Sequence, residues 1–158
     1  DMQTADVQQV LESVLLEFPV RQVRLSVPKW LEALDEGHYL VQEGLTGLPL
    51  VTYGDAPGLS YLFGMEPGLS TTWPDLASFP EDAFCREMQE LGGVALAGHG
   101  DRLPVVILHT DDEELAALKG GRQEERKAVV LRNYLEECGY ETGYQNEHYI
   151  VKRIPAAG

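Results

Sequence analysis

The chain has 158 residues, 44% of them apolar, with 26 acidic against 12 basic side chains and a formal charge of −14. That length suits one domain with one sizeable core, and the balance of apolar to charged residues excludes a disordered chain. The acidity excludes docking on nucleic acid, which needs a Lys/Arg stripe, and no apolar run reaches the roughly 18 residues of a membrane span.

Asp6–Phe18 carries apolar residues at helical spacing, with Asp6 and Gln9 placed as a capping box. Val23, Leu25 and Val27 then alternate with polar residues and predict a strand. Pro28 opens a helix that Glu36-Gly37 is expected to stop, with a short helical or irregular piece over Tyr39–Glu43. Leu48–Tyr53 is a continuous apolar run between glycines, as in a strand buried on both faces. Leu59–Phe63 reads as a short helix and Ser70–Ser78 as a loop kept irregular by Pro74. Glu81–Leu91 predicts a helix closed by Gly92-Gly93, followed by a short strand at Val94–Ala97.

Pro104–His109, PVVILH, is the second strong buried strand. Thr110 can cap a helix whose first turn is Asp111–Glu114, and Arg122–Cys138 gives the longest helix, stopped by Gly139. Tyr140–Tyr144 and His148–Arg153 flank Gln145-Asn146-Glu147 as a hairpin. Strands separated by helices call for parallel pairing with right-handed crossovers. The expected fold is a single α/β domain over residues 1–158, with a candidate seam at Gln42–Gly47. It is a three-layer, Rossmann-like, mostly parallel sheet flanked by helices, with a C-terminal antiparallel hairpin.

The loop Gly54-Asp55-Ala56-Pro57-Gly58 matches neither Gly-rich phosphate motif; Asp55 repels an anion and Pro57 lacks an N–H, so it reads as a corner. Gly58-Leu59-Ser60-Tyr61-Leu62 fails the nucleophile elbow because Leu62 replaces its last glycine. Cys85 and Cys138 form no metal spacing and read as buried thiols, with one disulfide left open. His99, Asp101, His109, Asp111 and Asp112 cluster near strand ends, but no ligand spacing fixes them on one face, and the acidic run reads first as a helix start. Trp73-Pro74-Asp75 suits stacking on a sugar ring, weighed against a loop Trp clamped over the core. Loops at the carboxyl ends of strands are where such folds bind, so Tyr53, Asp55, Tyr61, Trp73 and Asp75 are the candidate ligand-contact residues. No catalytic residue, metal ligand or cofactor is assigned.

Two resemblances cover different segments. Residues 49–153, through PLVTYGDAPGLSYLFG, TTWPDL, LPVVILHT and RNYLEECGYETGYQNEHYIVKR, resemble the extracytoplasmic C-terminal domain of bacterial polytopic glycosyltransferase-like membrane proteins. That implies a non-catalytic accessory domain on the outer membrane face, beside a parent membrane domain and binding a glycan or lipid-linked sugar acceptor. Residues 2–40, through DVQQVLESVLLEFPV and VRLSVPKWLEALDEGHYL, resemble stage IV sporulation protein A, a spore-coat morphogenetic ATPase family. That implies the alternative, a structural assembly module at the cytoplasmic forespore surface, without the family's ATP site. The second similarity is expected to stop at about Pro49.

Overall fold

The computed structural model describes residues 27–54, 58–109 and 123–156. The expected helix Asp6–Phe18, most of the strand Val23–Val27, Asp55 with the corner it occupies, and the acidic turn Asp111–Glu114 lie outside the described residues. In chain order the elements are α1 (Val27–Gln42), β1 (Leu50–Tyr53), α2 (Leu59–Phe63), α3 (Glu81–Leu96), a 3₁₀ turn (Gly100–Arg102), β2 (Val105–His109), α4 (Gln123–Glu137), β3 (Glu141–Gln145) and β4 (Tyr149–Arg153).

The two apolar runs lie side by side, as expected: β1 and β2 pair in parallel, with Leu50 opposite Val105 and Tyr53 opposite Leu108. The rest of the sheet corrects the expectation of mostly parallel pairing. Its order is β1-β2-β4-β3, and β4 runs antiparallel to both of its neighbours. The reason lies in β4, where Tyr149, Ile150 and Val151 are consecutive and all buried. A strand buried on both faces belongs inside a sheet, so β4 sits against β2 and leaves the half-exposed β3 as the edge. The opposite edge is blunted by chain: the Leu50 N–H donates to the Glu66 carbonyl and the Gly68 N–H to the Leu50 carbonyl.

Strand alternation sends side chains to both faces. On one face Val51, Tyr53, Val106, Leu108 and Ile150 meet Phe84 and Met88 of α3 and Leu131, Tyr134 and Leu135 of α4. On the other, Leu50, Val105, Ile107, Tyr149 and Val151 meet Ala33 and Leu40 of α1 and Leu59 of α2. Val106 and Ile107 expose nothing, and burying a side chain of that kind stabilises the fold by about 1.5–3 kcal/mol. None of the helices among the described residues is long and apolar enough to cross a membrane.

Two expected helix stops are not stops. The first helix runs through Gly37 to Gln42; Gly37 is there for space, since an added Cβ would lie 2.9 Å from Phe63 Cε1. The actual stop is Gly44 at φ +68, where the Leu45 N–H donates to Leu40 and the Gly44 N–H to Val41. This Schellman pairing of backbone hydrogen bonds recurs at Gly64, Gly98 and Gly139. Helix α3 likewise continues through Gly92-Gly93, so the expected strand Val94–Ala97 is its last turn.

Candidate functional site: a clamped loop at the strand ends

The segment between α2 and α3 passes the carboxyl end of β1, and polar groups from three elements hold it. From β1, Thr52 Oγ1 donates to the Thr72 carbonyl at 2.9 Å. From α3, the Glu87 carboxylate accepts the Ser70 N–H at 2.6 Å and its hydroxyl at 2.7 Å. From α4, Lys127 Nζ donates to the carbonyls of Pro74 and Leu76, both at 2.9 Å, and to that of Phe79. Lys127 has no exposed surface, and its ammonium also lies 5.6 Å from the centre of the Phe79 ring. An ammonium offers three donors, so three carbonyls satisfy the group whose burial would otherwise be prohibitive.

The candidate contact residues separate around this clamp. Trp73 is 39% exposed, and its backbone N–H donates to Thr71 Oγ1 at 3.1 Å. Asp75 is half-buried. Desolvation pushes its carboxyl above the usual range, partly offset by hydrogen bonds from the Gly54 and Asp75 backbones and the Trp73 side chain, and by the Lys127 charge. Its Oδ1 is buried without a partner among the described residues. The fold therefore brings Trp73 and Asp75 against Gly54, at the end of β1. Tyr53 points inward instead, 2% exposed and packed on Phe84 with ring centres 6.0 Å apart. Tyr61 is 66% exposed on α2.

The other candidates scatter. His99 caps the 3₁₀ turn and Asp101 lies within it, both exposed, while His109 is half-buried at the end of β2. Cys85 and Cys138 are unpaired and half-buried. Burial, with Glu81 and Asp82 beside Cys85 and Glu137 beside Cys138, raises both thiols and disfavours the reactive thiolate.

A second polar assembly joins α1 to the β3–β4 hairpin. Glu32 of α1 reaches the tip of the β3–β4 hairpin: its backbone carbonyl accepts from Asn146 Nδ2 at 3.1 Å, and its Oε1 from the N–H groups of Glu147 at 2.8 Å and His148 at 3.2 Å. Its Oε2 meets His148 Nδ1. Further along α1, Tyr39 stacks on Tyr144 at 5.5 Å, and Arg153 Nη1 donates to Glu43 at 2.7 Å and Tyr39 at 3.2 Å. Between these anchors Glu36 has no exposed surface; burial, with Glu32 and Asp35 nearby, pushes its carboxyl up to about 9. The available signal was a charged residue on an apolar stripe: Glu36 lies three residues after Ala33 and four before Leu40, and Lys127 four before Leu131.

Sheet and helices thus define a mixed α/β domain with a stiffened loop at its strand ends. No protein-family profile matches the chain, and no solved structure matches it. It is similar to stage IV sporulation protein A of Bacillus anthracis, 44% identical over 123 residues that cover 67% of this chain and 25% of that protein. It is also similar to stage IV sporulation protein A of Clostridioides difficile (strain 630), 35% identical over 48 residues covering 30% of this chain and 10% of that protein. The chain therefore spans a quarter or less of the curated relatives it matches. A similarity covering two-thirds of the chain necessarily includes its middle, which corrects the expected end at Pro49. The resemblance of residues 49–153 to glycosyltransferase-like proteins finds no support in these matches.

Proposed function

We propose that this chain is a non-catalytic structural assembly module of a sporulation protein, acting at the cytoplasmic surface of the forespore. The observation that carries the reading is the 44% identity to stage IV sporulation protein A over two-thirds of the chain. In this reading ATP chemistry belongs to another part of the polypeptide, and this domain supplies contacts. The clamped loop suits that role: Trp73 and Leu76 are 39% and 38% exposed on a backbone already fixed by Lys127 and Glu87. A pre-ordered aromatic contact loses little entropy on binding and makes an effective anchor.

Sedimentation velocity on the chain across a concentration series tests this. The expected result is reversible self-association that the double substitution Trp73→Ser, Leu76→Ser weakens while the melting temperature holds. A monomer at every concentration, or association indifferent to both substitutions, overturns it. The second reading, a glycan-binding accessory domain on the extracytoplasmic face of a glycosyltransferase-like membrane protein, draws on Trp73 and Asp75 sharing one loop. It predicts quenching of Trp73 emission by cell-wall saccharides or lipid-linked sugars, and no quenching by any of them removes it.

A further inference from the structure

The joint between α1 and the hairpin holds metal-binding chemistry that the clamped loop does not use. One donor atom each from Glu32, Glu147 and His148 lie within 4.8 Å of one another. Zinc-class ions take carboxylate oxygen and imidazole nitrogen at roughly 2.0–2.2 Å, so their ligand atoms sit within about 4.4 Å of each other. The three donor atoms are therefore already close to the spacing such an ion requires, and the Glu147 side chain is exposed.

A second observation lies one helical turn away, within the electrostatic reach of Glu32. One turn after Glu32, Glu36 is fully buried, and neither of its carboxyl oxygens has a hydrogen-bond partner among the described residues. Buried polar groups are normally satisfied, and Glu32 and Asp35 bring Glu36 more negative charge rather than relief. The His109 ring, 6.0 Å from that of His148, adds another imidazole at the end of β2. A cation held by Glu32 would bring positive charge within one helical turn of Glu36.

We propose that Glu32, Glu147 and His148 form a binding site for a divalent transition-metal ion of the zinc class, with Glu36 and His109 beside it. The imidazole favours that class over Mg²⁺ and Ca²⁺, which prefer all-oxygen shells. The bound ion would tie α1 to a hairpin 115 residues further along the chain, so binding and folding stability rise together.

Calorimetric titration of the full chain with Zn²⁺, beside Mg²⁺ and Ca²⁺, tests the proposal, and Co²⁺ in place of Zn²⁺ reports ligation by its visible absorption. The expected result is one Zn²⁺ per chain, a melting temperature that climbs with Zn²⁺, and Co²⁺ bands that His148→Gln abolishes. Glu147→Gln weakens binding at least about tenfold. It leaves in place the Glu147 N–H that holds Glu32, so it decides the matter even if His148→Gln fails to fold. His99→Gln, at an exposed histidine elsewhere, changes nothing. Binding unaltered by Glu147→Gln, no Co²⁺ bands, or Mg²⁺ binding as tightly as Zn²⁺ overturns the site.

Discussion

Lys127 and Glu36 are both charged residues without exposed surface, each on the apolar stripe of a helix, yet they meet opposite conditions. Lys127 is answered by three carbonyls of one loop. Glu36 faces no donor among the described residues and is driven towards its neutral form. The contrast separates two uses of a buried polar group. A satisfied one fixes backbone, whereas an unsatisfied one marks a position whose reason is not stability of the chain alone.

Removing the satisfied group should have the largest effect. Lys127→Met keeps most of the side-chain volume but strands three carbonyls, and is expected to cost about 3–5 kcal/mol. Urea unfolding should show this as a lower midpoint at unchanged slope. The Trp73 environment in the surviving native state should loosen, read as faster acrylamide quenching. A cost below about 1 kcal/mol would mean that water replaces the ammonium without loss.

Next comes a substitution that opens the Glu36 side without touching a charge. A Cβ at Gly143 would fall on Tyr39 Oη and 2.8 Å from Arg153 Cδ. Gly143→Ala should therefore push α1 off the hairpin and destabilise by about 1–3 kcal/mol, as overpacking does. Faster amide exchange in α1 and the hairpin, with α3 and α4 unchanged, would place the damage at the joint.

Glu36→Leu should act the other way, raising stability near pH 8 by about 1–3 kcal/mol in metal-free protein, because it removes an unsatisfied buried group. The sign with pH follows from the raised value. Between the ordinary 4.5 and about 9 the folded chain binds one more proton than the unfolded chain. The native protein's stability is then complete below 4.5 and falls as pH climbs towards 9. The advantage of Glu36→Leu over the native chain should therefore widen from pH 5 to pH 8. Melting curves at several pH values measure it, and an advantage that narrows with pH would contradict a buried neutral carboxyl.

Much of this architecture was legible because apolar runs are hard to disguise. PVVILH and LPLVTY became paired strands, and Gly139 ended α4. The sheet's mixed direction was hidden because Tyr149-Ile150-Val151 is short and followed by Lys152 and Arg153, which resemble an edge strand. Gly37 and Gly92-Gly93 resembled stops because composition does not distinguish a glycine needed for φ from one needed for space, as at Gly37, or from one that a helix carries in open space, as at Gly92 and Gly93. Of the candidate site, Trp73 and Asp75 were visible as loop residues with chemistry. Their clamp was not, since Lys127 and Glu87 come from helices distant in sequence and lysine is usually solvated. Glu32 and His148 were invisible as partners because nothing local links positions so far apart.

The smallest expected effect sharpens the comparison from beside the clamp. Arg126 precedes Lys127 on α4 and its Nε donates to Glu81 Oε2 of α3 at 2.8 Å, so two neighbouring cations tie α4 to the same region by contacts of similar length. They differ in solvent access: the Arg126 side chain is 46% exposed and Lys127 is fully covered. Water and salt screen the first pair and re-solvate either member when the other is lost. Arg126→Gln should accordingly cost only about 0.2–1 kcal/mol, less at high salt. If urea midpoints show Arg126→Gln as costly as Lys127→Met, charge itself holds the loop against α4. If the costs differ several-fold, exclusion of water is what turns a lysine into a clamp.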